Sequence, residues 1–261
     1  MFNHILKSNN NFLSAKPEPK ILTCEIHGEY SSRSTQVIDK FLEFDNCEKC
    51  YEILKVERDE KAKADRKLRA AMSFKTRKHN SGISNRYFDA SLDNLAPCSA
   101  QQARAIDYLR VYSSEIMAGT ASNSVIITGG VGTGKTMMAS ALINSIVERK
   151  QCEIIKCIDL IRSLKATWNR NNEQTEKEII EKYTQLDLLV IDEVGVQFGS
   201  DTEKMFIFDV IDGRYENALP TVLISNQPMN KISEFIGDRV VDRLRQGGGE
   251  LFVLDGESGR K

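Results

Sequence analysis

Apolar and polar positions follow two different patterns along the chain. From about residue 100 onward, short continuous apolar runs alternate with stretches of helical spacing. Continuous apolar runs are typical of strands buried on both faces, and helices between them are typical of a parallel sheet. The pattern predicts strands in SVIITG, CEIIKCI, LDLLVID, TVLISN and ELFVLD. We therefore predict an α/β domain over residues 100–261.

The first hundred residues lack this alternation. Residues 1–20 are polar and contain two prolines, which predicts a flexible arm. Residues 21–50 are dense in cysteine and predict a small separate module. Residues 51–99 begin with a stretch without glycine or proline, rich in Lys, Glu, Ala and Leu, and end in turn-forming residues. They predict a helix followed by a linker.

Charge and hydropathy exclude a membrane protein. The chain contains 36 Lys and Arg against 37 Asp and Glu, and no apolar run is long enough to span a bilayer. No leader segment is recognisable either, so we expect a cytoplasmic protein. Residues 61–78 are nevertheless strongly basic. They form either a solvated helix face or a contact with DNA or a partner protein.

A phosphate-binding loop is predicted between the first of these strands and the next helix. The sequence GGVGTGKT fits G-x-x-x-x-G-K-[ST] in the context that this motif requires. Glycines let backbone N–H groups turn toward phosphate oxygens, and the helix N-terminus adds partial positive charge. We predict that ATP contacts Gly129, Gly130, Val131, Gly132, Thr133, Gly134, Lys135, Thr136 and Met137.

Two carboxylates end the buried strand LDLLVID. Asp192 and Glu193 at such a place are costly unless a cation meets them, and Mg²⁺ is the expected one. We predict that Asp192 and Thr136 hold Mg²⁺ and that Glu193 polarises the attacking water. Asn226, at the end of TVLISN, is predicted to orient this water. The alternative is a strand end with solvated acids.

The cysteines of the first module have the spacing of a zinc site. The pattern C-x2-H-x19-C-x2-C consists of two short ligand pairs separated by about twenty residues, which is typical of a structural Zn²⁺ site. The predicted ligands are Cys24, His27, Cys47 and Cys50. The cysteines without paired neighbours, which we expect to be buried apolar residues, are Cys98, Cys152 and Cys157.

One aromatic residue has basic residues as its neighbours in the sequence. Trp168 lies at the end of a predicted helix beside Lys165 and Arg170. This combination suits base stacking with phosphate contacts, and it equally suits a tryptophan packed on the core.

Three segments carry a family resemblance. The sequences LLVIDEVGVQ, GDRVVDRLRQGGGELFVL and FKTRKHNSGISNRYF resemble AAA+ ATPases, and more narrowly the bacterial replicative-helicase loaders of the DnaC and DnaI type. IstB-like transposition ATPases are related. The resemblance covers about residues 74–258. It implies an AAA+ P-loop core with a five-stranded parallel sheet and no C-terminal lid domain, preceded by the zinc module and the helical linker.

The resemblance also implies how the protein works. Loaders assemble head to tail into a spiral with ATP between subunits, dock on a hexameric replicative helicase and hold single-stranded DNA. Arg243, or Arg239 one helical turn earlier, resembles the arginine finger, and Arg260 would replace the lid arginine. The zinc module would contact the helicase or DNA. A purely structural alternative makes Arg239 and Arg243 the solvated face of an amphipathic helix.

Three other functions fit the same motifs. An IstB-like ATPase would regulate a transposase on duplex DNA, and a non-hydrolysing adaptor would use nucleotide only to hold its shape. A P-loop kinase for a small molecule is disfavoured by the adjacent Asp192 and Glu193 and by the absence of an arginine-rich lid sequence.

Overall fold

The computed structural model describes residues 16–37, 40–169, 173–195 and 200–254. It divides into two compact units, with the boundary between Ala71 and Met72. Most of the predicted arm and the predicted lid arginine, Arg260, lie outside the described residues. Across the described ranges, none of the helices carries an apolar stretch that could cross a membrane.

The first unit contains two antiparallel hairpins and the start of a long helix. Strands β1 (Ile21–Cys24) and β2 (Gly28–Ser31) form one hairpin, and β3 (Arg33–Val37) and β4 (Lys40–Phe44) form the other. Helix α1 (Glu48–Asn80) follows and has no buried residue. These strands were not predicted, because their side chains are mostly exposed and carry no continuous apolar run.

A parallel five-stranded sheet is the centre of the second unit. Its strands pair in the order β6-β7-β8-β5-β9, and every pairing is parallel, which confirms the predicted fold class. The elements after α1 are α2 (Ala100–Ala118), β5 (Val125–Gly129), α3 (Lys135–Ile146), β6 (Cys152–Lys156), α4 (Cys157–Ala166), α5 (Glu176–Thr184), β7 (Leu188–Asp192), α6 (Asp201–Glu216), β8 (Thr221–Ser225), α7 (Met229–Ile236), α8 (Asp238–Arg245) and β9 (Glu250–Leu254).

Both faces of this sheet are buried. Successive residues of a strand point to opposite faces, so Ile126 and Ile127 of β5 belong to two different apolar clusters. The cluster that contains Ile127 includes α2 and α3, and the cluster that contains Ile126 includes α4 to α8. Strands β7 and β8 are buried at every position, as the continuous apolar runs predicted.

Three details differ from the sequence prediction. The strand predicted to run through Cys157 ends at Lys156, and Cys157 begins α4. Helix α7 was not predicted; it precedes the predicted arginine-rich helix α8, and Gly237, with a φ of 88°, separates the two. Cys98 is exposed, so its assignment as a buried residue was wrong, whereas Cys152 and Cys157 are buried.

A buried arginine supports the end of the sheet opposite the phosphate loop. Arg214 of α6 is fully buried and donates hydrogen bonds to the carbonyl oxygens of Tyr183, Leu186 and Pro220 and to the Thr221 hydroxyl, at 2.5–2.9 Å. Burial lowers its pKa to about 10, so the guanidinium stays charged at neutral pH. It therefore ties α6 to the segments that enter β7 and β8.

Candidate functional site

The phosphate-binding loop connects β5 to α3. Its lysine is almost buried, and the Lys135 amine donates to the carbonyl oxygens of Gly129 at 2.8 Å and Gly130 at 2.7 Å. The same amine lies 3.1 Å from the Thr133 hydroxyl. Gly134, directly before α3, has a φ of 80°, a left-handed conformation that suits glycine. The loop therefore holds a cation at the N-terminus of a helix, as a phosphate site requires.

A second set of oxygens faces this loop from the sheet. Asp192 is buried at the end of β7, and its Oδ2 accepts a 2.8 Å hydrogen bond from the Thr136 hydroxyl. Its Oδ1 accepts a 2.7 Å bond from the backbone N–H of Glu193. Burial raises the pKa of the Asp192 carboxyl, and the bond from Thr136 acts in the opposite direction. A hydroxyl beside a buried carboxylate is a donor set that suits Mg²⁺.

The next residue has a strained backbone. Glu193 has a φ of 58°, although it is not a glycine, and non-glycine residues in this region cost roughly 1–3 kcal/mol. Its carboxylate is about half exposed and lies 3.1 Å from the Lys156 amine. The hydrogen bond to Glu193 raises the pKa of Lys156. The strained backbone presents the carboxylate outside the strand, toward the end of β6.

Sequence reasoning missed Lys156. A signal was available, because Lys156 is the last residue of β6, and β6 pairs with β7 so that Lys156 lies opposite Asp192. A polar side chain at the carboxyl end of the neighbouring strand belongs to the same edge of the sheet as the predicted acids.

Most of the predicted nucleotide residues line one cleft of about 330 Å³, but Gly129 and Gly130 do not. Asn226, directly after β8, lines it together with Asp192 and Glu193. The end of β8 is held to the loop after β7 by the Ser225 hydroxyl, which donates to the Val194 carbonyl. The loop residues that line the cleft are Val131, Gly132, Thr133, Gly134, Lys135, Thr136 and Met137.

The predicted linker and α2 contribute further residues to the cleft lining. Sequence reasoning did not assign these residues to the site, since a linker has no periodic pattern. Mixed apolar and polar walls of this kind suit the base of a nucleotide. They include Arg86, Tyr87, Leu95, Ala96, Cys98, Gln102 and Ile106.

The two arginine-finger candidates lie on α8, and neither lines this cleft. Arg243 donates from Nε to Asp212 at 2.7 Å, and its guanidinium lies 4.5 Å from the ring centre of Tyr215. The hydrogen bond to Asp212 raises the pKa of Arg243. Arg239 is exposed, and it makes no hydrogen bond or ion pair with any described residue.

The predicted zinc ligands come together in the first unit. Their donor atoms all lie within 4.8 Å of one another, and they belong to Cys24, His27, Cys47 and Cys50. The sulfur atoms of Cys24 and Cys50 are 3.6 Å apart, and the His27 Nδ1 lies 3.3 Å from the Cys50 sulfur. Tetrahedral coordination with Zn–S near 2.3 Å and Zn–N near 2.0 Å requires roughly 3.5–3.8 Å between ligand atoms. Donor chemistry and spacing therefore fit Zn²⁺.

Two features of this cluster favour a metal. Backbone N–H groups of Ile26 and His27 lower the pKa of the Cys24 thiol to about 6, which favours the thiolate that metals bind, while burial raises the pKa of the neighbouring Cys50 thiol to about 11. Cys47 is the only buried residue among the described residues of the first unit. An apolar core is therefore not what holds the two hairpins together.

Trp168 has features of both predicted roles, which were base stacking and packing on the core. Its side chain is 60% exposed, and its ring lies 5.9 Å from that of the buried Phe206. Lys165 pairs with Glu203 at 2.7 Å, and Arg170 lies outside the described residues. One edge of the indole thus packs on the core, while most of its surface stays accessible.

Comparisons with known proteins agree with this geometry. The family model of IstB-like ATP binding proteins matches residues 35–260. The replicative helicase loader DnaC of Escherichia coli strain K12 is 32% identical over 191 residues, which cover 73% of this chain and 77% of that protein. DnaC of Buchnera aphidicola subsp. Baizongia pistaciae is 31% identical over 182 residues, covering 69% and 73% of the two chains.

Solved structures share the fold. The crystal structure of the DnaC helicase loader matches with a TM-score of 0.57 and 24% identity, covering 66% of this chain and 99% of that one. The crystal structure of DnaI matches with a TM-score of 0.59 and 17% identity, covering 70% and 99%. At these identities the likeness concerns the fold alone.

Two adjacent glycines of the phosphate loop should respond differently to substitution. Gly129 has a φ of 141°, and a Cβ atom there would lie 2.2 Å from the Leu254 carbonyl oxygen, so Gly129→Ala must distort the β5–β9 pairing. We expect a loss of roughly 3 kcal/mol in the free energy of unfolding, measured by urea denaturation. Gly130→Ala is the matched control, because the nearest atom to its Cβ would be 3.9 Å away. Equal effects of the two substitutions would contradict this account.

Proposed function

Because the chain belongs to the family of IstB-like ATP-binding proteins, we propose that it is a replicative-helicase loader. In this role it binds a hexameric DNA helicase in the cytoplasm and uses ATP to deliver it to single-stranded DNA. The observation that carries the proposal is the match to DnaC over 191 residues, and the nucleotide cleft is consistent with it. DnaC relatives from several bacteria support a loader over a transposase regulator.

The cleft supports hydrolysis of ATP. Lys135 would bind the β- and γ-phosphates, while Thr136 and Asp192 would hold Mg²⁺, which neutralises charge on the phosphates. Glu193 would polarise the attacking water, and Asn226 would orient it. The ion pair with Lys156 occupies the Glu193 carboxylate, so this carboxylate must separate from Lys156 before it can act.

A second subunit would complete this site. Neither Arg239 nor Arg243 lines the cleft of its own chain, so either would reach a phosphate only across an interface between copies. Arg243 is the first candidate by its position in the motif, although it must leave Asp212 to act. Arg239 is the alternative, because it is exposed. Head-to-tail contacts of this kind generate a spiral when they do not close.

A loading assay tests the function. The protein is mixed with the replicative helicase of its host, ATP and circular single-stranded DNA, and the helicase retained on the DNA is measured. We expect loading with the native chain and none with Lys135→Ala, which removes the phosphate-binding amine. Lys150→Ala is the matched control, because the Lys150 amine pairs with Asp187 instead of lining the cleft. Unchanged loading with Lys135→Ala, or binding of a transposase in place of the helicase, would refute the proposal.

Mixing of variants tests the shared site. Lys135→Ala should lack ATPase activity, and so should Arg243→Ala, or Arg239→Ala if that residue is the finger. An equal mixture of the finger variant with Lys135→Ala should recover about a quarter of the native rate, since one in four random interfaces combines the intact halves. Arg245→Ala, on the same helix, should keep its activity. No recovery at any ratio for either arginine would exclude a finger on α8.

We also propose that the cysteine and histidine cluster holds a structural Zn²⁺. Only one of the described residues of the first unit is buried, so the metal would provide most of the stability of this unit.

We further propose that DNA stimulates the ATPase activity and that the zinc module docks on the helicase or on DNA. The exposed indole of Trp168 is available for single-stranded DNA in this picture.

Metal analysis tests this site. Protein purified without chelator should contain about one zinc ion per chain, and removal of the ion should expose residues 21–50 to limited proteolysis. Cys47→Ser should lose both the metal and the protection. Cys98→Ser is the control, because Cys98 is a free thiol outside the cluster. Metal-free protein that resists proteolysis equally well would contradict the prediction.

A further inference from the structure

Part of the cleft lining belongs to a loop. Residues 85–98 lie in the connection between α1 and α2, and their only regular element is a 3₁₀ turn at Asn85–Tyr87. Tyr87, Leu95 and Cys98 of this segment line the cleft. A loop without a ladder of backbone hydrogen bonds keeps its position only where other groups bind its polar atoms.

One anchor of this segment comes from the helix that follows the phosphate loop. Asn144 of α3 donates from Nδ2 to the carbonyl oxygens of Ala90 at 2.8 Å, Phe88 at 3.1 Å and Tyr87 at 3.3 Å. Its buried Oδ1 has no hydrogen-bond partner among the described residues. The amide nitrogen of Asn144 therefore donates all the hydrogen bonds of this side chain, and every acceptor belongs to the loop.

A second anchor joins the loop to the phosphate site directly. Gln102 of α2 is buried, and its Oε1 accepts a 2.5 Å hydrogen bond from the backbone N–H of Cys98. Its Nε2 donates to the Thr133 carbonyl at 3.3 Å. One amide group therefore links the wall of the cleft to the loop that binds phosphate.

We propose that Asn144 and Gln102 are positioning residues that hold segment 85–98 against the phosphate loop and thereby set the affinity for the base of the nucleotide. The inference rests on the proposed ATP site and assigns different roles to the two loops that line it. The phosphate loop binds the triphosphate, and the anchored loop adds the contacts that distinguish a nucleotide from a bare phosphate chain. These two amides act on substrate binding rather than on the chemical step.

Nearly isosteric substitutions test this role. Asn144→Leu and Gln102→Met keep the shape of each side chain and remove its hydrogen bonds. Affinities for ATP and for inorganic tripolyphosphate, which has no base, are measured by calorimetry, and KM and kcat are measured for ATP. For each variant we expect ATP affinity to fall and KM to rise about tenfold, with tripolyphosphate affinity and kcat changed by less than about twofold.

Asn123→Leu is the matched control. Asn123 also donates side-chain hydrogen bonds, to the Tyr108 hydroxyl and the Gly248 carbonyl, but neither partner belongs to segment 85–98. This substitution should leave both affinities unchanged. If Asn144→Leu does not give folded protein by circular dichroism, Gln102→Met provides the same readouts.

Three results with the variants would overturn the inference. They are unchanged ATP affinity in the variants, an equal loss of ATP and tripolyphosphate affinity, and a similar loss in Asn123→Leu. Native protein that binds tripolyphosphate as tightly as ATP would also overturn it and leave the ATPase proposal standing. Native protein that binds neither would remove the proposed function itself, so the two failures are distinguishable.

Discussion

The hydrogen bond between the Thr136 hydroxyl and the Asp192 carboxylate joins the two halves of the candidate site. Thr136 belongs to the helix that follows the phosphate loop, and Asp192 ends a central strand of the sheet. The bond can form only because the parallel strands β5 and β7 end at the same edge, on either side of β8. Glu193, Asn226 and Lys156 then converge there without further sequence proximity. The buried sheet thus determines where the chemistry can take place.

Much of this arrangement could be predicted from sequence, because the strands of the second unit are buried on both faces. Such strands read as continuous apolar runs, and the residues after them fall at a known edge of the sheet. The cluster of three cysteines and one histidine was likewise predictable, since their sequence spacing is typical of a tetrahedral metal site. For the strands and for the cysteine and histidine cluster, the spacing of residues along the chain is set directly by the geometry that they adopt in the folded protein.

The rest depended on contacts between segments far apart in sequence. Lys156 was readable only once β6 was known to be the neighbour of β7. Residues 85–98 have no period, and side-chain amides of two other helices form hydrogen bonds with their backbone. The short strands of the first unit are mostly exposed and lack apolar runs, so their pattern could not be separated from that of a loop. Cys98 was misjudged because its residue type suggested burial, while its loop faces solvent.

The left-handed backbone at Glu193 has a consequence for the evolution of this fold. Glycine adopts that conformation without penalty, so a glycine there would relieve strain and make the protein more resistant to denaturation. It would also remove the carboxylate that we propose polarises the attacking water. If Glu193 has this role, a search for thermostable variants that ignored activity would select a glycine that abolishes turnover, because stability and turnover require different residues at this position.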